Sequence, residues 1–119
     1  MTPREQLALD DFKAWLFDNG IGYCGYPGCN DPWTQLAHRI PSYKYNLKKY
    51  GAQVIHHPLN LMPVCGLTHN DGMMIGKNEQ VEHELVCLIR HYRDDWTEAW
   101  KELYHVGLLV WIGAHRESA

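Results

Sequence analysis

The chain has 119 residues, 45% of them hydrophobic, and a formal net charge of −3. That length suits one domain with a single modest core, and no run of eighteen or more apolar residues is present to span a membrane. The opening MTPREQLALD lacks the basic then apolar pattern of a secretion signal, so a cytoplasmic location is expected.

Thr2, Pro3 and Glu5 read as an N-cap, a first-turn proline and a capping-box glutamate. Ala8, Phe12, Trp15 and Leu16 follow at helical spacing, which predicts a helix over 3–19 ended by Gly20. The next stretch, IGYCGYPGCNDPW (21–33), is dense in glycine and proline and predicts a knuckle in which two cysteines can face one metal. Pro41, Gly51 and Pro58 cut the middle of the chain into short pieces, with TQLAHRI (34–40) and AQVIHH (52–57) as the extended candidates. A helix is expected to begin near Leu67. From Glu79 to Tyr104, residues Val81, Leu85, Leu88, Ile89, Tyr92, Trp96, Ala99, Trp100 and Leu103 form one stripe, the pattern of a long amphipathic helix. Gly107 ends it before an apolar tail, LLVWIGAH (108–115). The expectation is one α+β domain, its motif-bearing centre at 21–78, flanked by helices at 3–19 and 79–112. The second flank is a candidate homodimer surface.

Charge is unevenly placed. Between Asp31 and Asp71 there is no acidic residue, while Arg39, Lys44, Lys48 and Lys49 lie inside that window. The window therefore carries +4 and the rest of the chain −7. With His38, His56, His57 and His69 added, the middle third is a candidate landing surface for a polyanion.

Four cysteines in a reducing compartment should remain thiols, and clustered thiolates beside histidines point to a metal more than to disulfides. Cys24 and Cys29 enclose four residues and Cys65 and His69 enclose three, two local pairs of the kind that assemble a tetrahedral zinc site from a knuckle and a helix start. Cys87 falls on the apolar stripe between Leu85 and Ile89 and reads as a buried structural thiol. Redox chemistry at Cys24 and Cys29 is disfavoured, because the spacing is not C-x-x-C and no βαβ pattern surrounds it.

Placed around that knuckle, AHRIP (37–41), HPLNL (57–61) and VCGLTHN (64–70) resemble the HNH nucleases, the ββα-metal endonucleases, in their zinc-containing type. The order of parts agrees: a cysteine pair, a strand-borne histidine with an Ile-Pro turn, an asparagine-leucine in a loop, then a second ligand pair opening a helix. The resemblance implies a small ββα-metal core on a zinc knuckle and a DNA endonuclease that uses Mg2+ or Mn2+ beside its structural zinc. It makes His38 the general base that activates water and Asn60 the residue that orients that histidine and its loop. A backbone carbonyl on the other ring nitrogen of His38 would fix its tautomer. Arg39, Lys44, Lys48 and Lys49 would then hold DNA phosphates without reading sequence.

Two registers are possible at the helix. If His69 completes the zinc site, Asn70 becomes the catalytic metal ligand, an H-N-N variant similar to endonuclease VII-like resolvases. If Cys65 pairs with position 68, His69 is the catalytic ligand, but Thr68 offers zinc no soft donor, which favours the first register. The chain departs from the family at Ala37, where many relatives carry an aspartate or histidine that also binds the catalytic metal. Asp71 could serve as a further ligand, and His56 and His57 are further candidate bases or phosphate contacts. The alternative function is a zinc-stabilised nucleic-acid or protein binding module on the same scaffold.

Overall fold

The computed structural model describes residues 2–106 apart from Pro27 and Lys77, with backbone only at His105 and Val106. The apolar tail 108–115, and with it the end of the expected flank 79–112, lies outside the described residues. Among those described, six α-helices and one two-stranded antiparallel sheet make an α+β fold.

The first helix, α1 (Pro3–Asp18), begins as its sequence predicts. The Thr2 hydroxyl accepts from the Glu5 amide at 3.2 Å and the Glu5 carboxylate accepts from the Thr2 amide at 3.1 Å, which satisfies two otherwise orphaned donors. Its buried face is Leu9, Phe12 and Leu16, so Leu9 takes the inward place expected for Ala8. Burial of such a side chain stabilises by about 1.5–3 kcal/mol. Trp15 and Phe12 meet Trp96 and Trp100 edge-on at centroid distances of 4.7–5.6 Å, so the helix is locked by aromatic packing.

The knuckle follows, closed by a bridge between Tyr23 and Pro32 and by Cys24 N–H donating to Asp31 O at 2.8 Å. Gly25 N–H donates to Pro63 O at 2.8 Å and ties the knuckle to the sheet. The sheet itself pairs β1 (Gln35–His38) with β2 (Leu61–Val64), Gln35 opposite Val64 and His38 opposite Leu61. Every residue of β2 is buried, and the indole of Trp100 donates to Leu61 O at 3.1 Å.

Between the strands lie α2 (Lys44–Tyr50), α3 (Ala52–Ile55) and a 3-10 turn (Pro58–Asn60). The extended reading of AQVIHH is therefore corrected. Gly51, at φ 90°, turns the chain, and Ile55 and His56 then donate to Gly51 O and Ala52 O at 3.1 and 2.9 Å, so the local bonds of a helical turn replace a strand pairing. After β2, α4 (Leu67–Met73) packs against both strands.

The single helix expected over 79–104 is two: α5 (Glu79–Tyr92) and α6 (Thr97–Val106). Arg93 takes φ 49° at the break, and its carbonyl faces the His57 ring at 2.7 Å. The apolar stripe survives the bend, because α5 covers the 3-10 turn while Trp96, just before α6, and Trp100 within it reach α1. Trp100 is only 2% exposed, so this part of the stripe packs into the chain's own core. Cys87, expected to be buried, is exposed, with its sulfur 3.5 Å from His83 Nε2. Its position two residues from both Leu85 and Ile89 turns it off the stripe that those two bury. No described helix is long and apolar enough to cross a membrane.

Candidate functional site

Cys24, Cys29, Cys65 and His69 converge, their ligand atoms all within 4.8 Å of one another. His69 Nδ1 lies 3.4 Å from Cys24 Sγ and 3.2 Å from Cys65 Sγ, and the sulfurs of Cys29 and Cys65 are 3.8 Å apart. Four donors set about 2.0–2.3 Å from a tetrahedral ion stand roughly 3.3–3.8 Å from each other, and these three separations lie in or just below that range. This group can hold a metal ion such as zinc. Crowding otherwise opposes ionisation: desolvation, then hydrogen bonding with Cys29 and Cys24, pushes the Cys65 thiol up to about 11. A dication reverses this balance by drawing the protons off its sulfur ligands. The Tyr26 ring stacks on His69 at 4.2 Å and 6°, and a Cβ at Gly72 would stand 2.8 Å from Tyr26 Cε2. Glycine is needed there for α4 to seat against the knuckle.

A second cluster lies at the end of β1. His38 Nε2 faces His56 Nδ1 at 3.0 Å, and His56 Nε2 lies 3.7 Å from Glu5 Oε2. The partner of His38 is thus not the expected backbone carbonyl but the ring of His56, carried there by α3. Burial, and next the neighbouring His56, lower the His38 pKa from 6.5 to about 4. His56 is also lowered, by burial first, with Glu5 raising it. Both rings are therefore neutral at pH 7. We expect His38 to show no protonation in NMR titrations as the pH falls through 6.5, where an unperturbed histidine is half charged; a midpoint near 6.5 would contradict this environment.

Asn60 is fully buried, but its side-chain hydrogen bonds do not go to His38. Its Oδ1 accepts from Ile40 N–H at 2.8 Å, and its Nδ2 donates to Ile40 O and Ile55 O at 3.1 and 2.8 Å. It staples the loop after β1 to the end of α3. His38 is held by His56.

Asn70 lies apart from His38. Its Nδ2 donates to Gln35 Oε1 at 2.7 Å, so α4 covers the face of β1 that bears Gln35 and, by the strand's alternation, Ala37. His38 and Leu36 belong to the other face. That alternation is why the structure does not join the base candidate and the metal-ligand candidate in one hydrogen-bonded group. Gln35 engages the nitrogen of Asn70 and leaves its oxygen for other use, Asp71 beside it is exposed, and Ala37 is wholly buried with no donor to offer. Among the described residues the Cys3His group is the one cluster of three or more ligating side chains, so a hard dication finds no preformed protein cage.

Of the four cations expected on DNA, three stay together. Lys44, Lys48 and Lys49 stand exposed on α2, with Lys49 Nζ 5.1 Å from the centre of the Tyr50 ring and the Tyr50 hydroxyl donating to Glu82. Arg39 is corrected: it is 1% exposed and its Nε donates to Met73 O at 2.6 Å, so strand alternation has turned it inward toward α4. Its place on the surface is taken by residues the charge count could not show, Tyr43 and Tyr45, 51% and 67% exposed beside those lysines. His57 serves the fold, accepting from Leu59 N–H at 3.1 Å through Nδ1.

No family model, curated protein or solved structure matches the chain. The functional reading therefore rests on the geometry and on the motif resemblance.

Proposed function

We propose that the chain is a metal-dependent DNA endonuclease of the ββα-metal kind, with His38 as the general base and a structural zinc at Cys24, Cys29, Cys65 and His69. The observation that carries this reading is His38 itself. It is a neutral, partly buried imidazole at the end of β1, bonded through Nε2 to a second neutral ring. A histidine in that state is unprotonated at neutral pH, the form a general base requires, though with its pKa drawn well below 7 it is a weaker base than a free imidazole. The chain order of two antiparallel strands followed by a helix packed on both supports it further.

His38 removes the proton of the attacking water, and Asn60 keeps the loop that follows its strand in place. Lys44, Lys48 and Lys49 hold phosphates beside the scissile bond, with Tyr43 and Tyr45 beside them as aromatic faces for the sugar or base. Mg2+ or Mn2+, when bound, supplies charge neutralisation at the leaving oxygen. Asn70 Oδ1 and Asp71 would be the chain's own oxygens toward such an ion, the remaining ligands coming from water and substrate phosphate as is usual for magnesium. Incubation of the purified protein with supercoiled plasmid and either ion tests the reading; a plasmid left intact under every ion counts against it.

Reversing Lys44, Lys48 and Lys49 to glutamate should weaken DNA binding for all sequences alike. The slope of log K against log salt should fall by roughly 0.9 for each phosphate that the variant no longer neutralises. Affinity that ignores salt, or a change in sequence preference alone, would remove these lysines from the interface.

A second reading, a binding module on the same scaffold, is favoured by Ala37. Its complete burial closes the position at which the resemblance expects a metal ligand. DNA binding without cleavage under any divalent ion would decide for it.

A further inference from the structure

We propose that Glu5, acting through His56, fixes which ring nitrogen of His38 is the base, a proposal that rests on the reading of His38 as general base. The three side chains come from parts of the chain far apart in sequence: Glu5 from the first turn of α1, His56 from the end of α3, His38 from β1. None of the HNH-like motifs includes Glu5.

The argument is one of proton counting. Glu5 Oε2 lies 3.7 Å from His56 Nε2, and the two side chains are 20% and 5% exposed, so little solvent screens them from each other. At that distance Glu5 acts by its charge more than by a direct hydrogen bond. A carboxylate has no proton to give, and a bare imidazole nitrogen turned toward it would set lone pair against lone pair. Of the two neutral tautomers of His56, the one with hydrogen on Nε2 is therefore favoured. A neutral imidazole carries one N–H, so His56 Nδ1 is then an acceptor. That nitrogen stands 3.0 Å from His38 Nε2, which must be the donor. His38 accordingly holds its hydrogen on Nε2 and presents a bare Nδ1.

The reverse arrangement, with both hydrogens moved, keeps the bond between the two rings but leaves His38 Nδ1 protonated and unable to accept. Glu5 thus selects between two arrangements that the ring pair alone would hold nearly equal. Glu5 is itself fixed by accepting from Thr2 N–H at 3.1 Å. In the reaction one O–H bond of water breaks and an N–H bond forms at His38 Nδ1, while the electron pair stays on the oxygen that attacks phosphorus. The imidazolium so formed donates through Nε2 to His56, with the Glu5 charge beyond it. No proton need leave the glutamate.

The test is Glu5→Gln in the full chain. Glutamine also serves at the third position of a capping box, so α1 keeps its start, while its amide can donate to His56 Nε2 and reverse the selection. Nitrogen-15 NMR of the imidazoles at neutral pH should show parent His38 protonated at Nε2 and bare at Nδ1. Glu5→Gln should shift His38 toward the opposite tautomer and lower kcat for DNA cleavage by about 10²-fold, with KM unchanged. Thr2→Ala, which removes the cap hydroxyl alone, should leave the tautomer as in the parent. A parent His38 protonated at Nδ1, a tautomer indifferent to Glu5→Gln, or an equal response to Thr2→Ala would each overturn the proposal. A tautomer that responds as expected in a protein that cuts no DNA upholds the coupling and overturns only the nuclease reading.

Discussion

Cys29→Ser is expected to cost the protein most of its stability, and protein purified without added zinc is expected to carry about one zinc per chain. Serine nearly matches cysteine in size, and Cys29 is only half-buried, so apart from metal the exchange should cost under about 1 kcal/mol. A structural zinc contributes of the order of 10–16 kcal/mol to the folded state of small domains, as large as the whole stability of a typical domain. Loss of one of its ligands is then not an adjustment but a failure of the knuckle, since Cys29 and Cys65 reach the group from opposite ends of the motif-bearing segment. Thermal unfolding with and without a chelator reads this directly: the parent should melt far lower when chelated, and Cys29→Ser should melt low in both. Cys87→Ser, at an exposed thiol outside the group, should melt within a few degrees of the parent. A zinc content well below one, or a Cys29→Ser melt equal to the parent's, would remove metal from the account of this fold.

The parts of the molecule legible in the sequence are those whose signal is local. The capping box at Thr2 and Glu5, the glycine-rich knuckle and the paired ligands at Cys24, Cys29, Cys65 and His69 all declare themselves within a few residues, and the structure brings those four ligands together. What stays hidden depends on partners distant in sequence. Val54 and Ile55 have strand-like side chains, yet with β2 the only strand beside β1 among the described residues, they bury themselves on a helical turn. The stripe from Val81 to Leu103 is periodic straight through Arg93, so the bend leaves no gap in the pattern. Arg39 adds a charge to any count, and only the pairing of β1 with β2 and the seat of α4 show that it points inward. Glu5 reads as a cap and is one, but nothing near it in sequence tells that the same carboxylate faces His56.

His38→Ala is expected to abolish phosphodiester cleavage, lowering the rate about 10²–10⁴-fold, while folding and DNA binding change little. The ring is partly buried and lies outside the Cys3His group, so its removal takes no ligand from that group. The pH profile of the parent makes the assignment sharper. A base must be unprotonated to act, and with its pKa lowered to about 4 by burial and by His56, His38 should keep the rate level as the pH falls through 6.5 and lose activity only toward 4. An unperturbed histidine would already have halved the rate at about 6.5. Asn70→Ala should behave differently, raising the magnesium concentration needed for cutting while sparing the maximal rate, because the oxygen it removes is one the chain can offer to the ion. Unchanged cleavage by His38→Ala would shift the base to another group. Asn70→Ala that cuts normally, beside a His69→Ala protein that folds but cannot cut at any magnesium concentration, would move the metal ligand from Asn70 to its neighbour. In that event Cys24, Cys29 and Cys65 would be left as a three-thiolate site, short of the four ligands a structural zinc prefers.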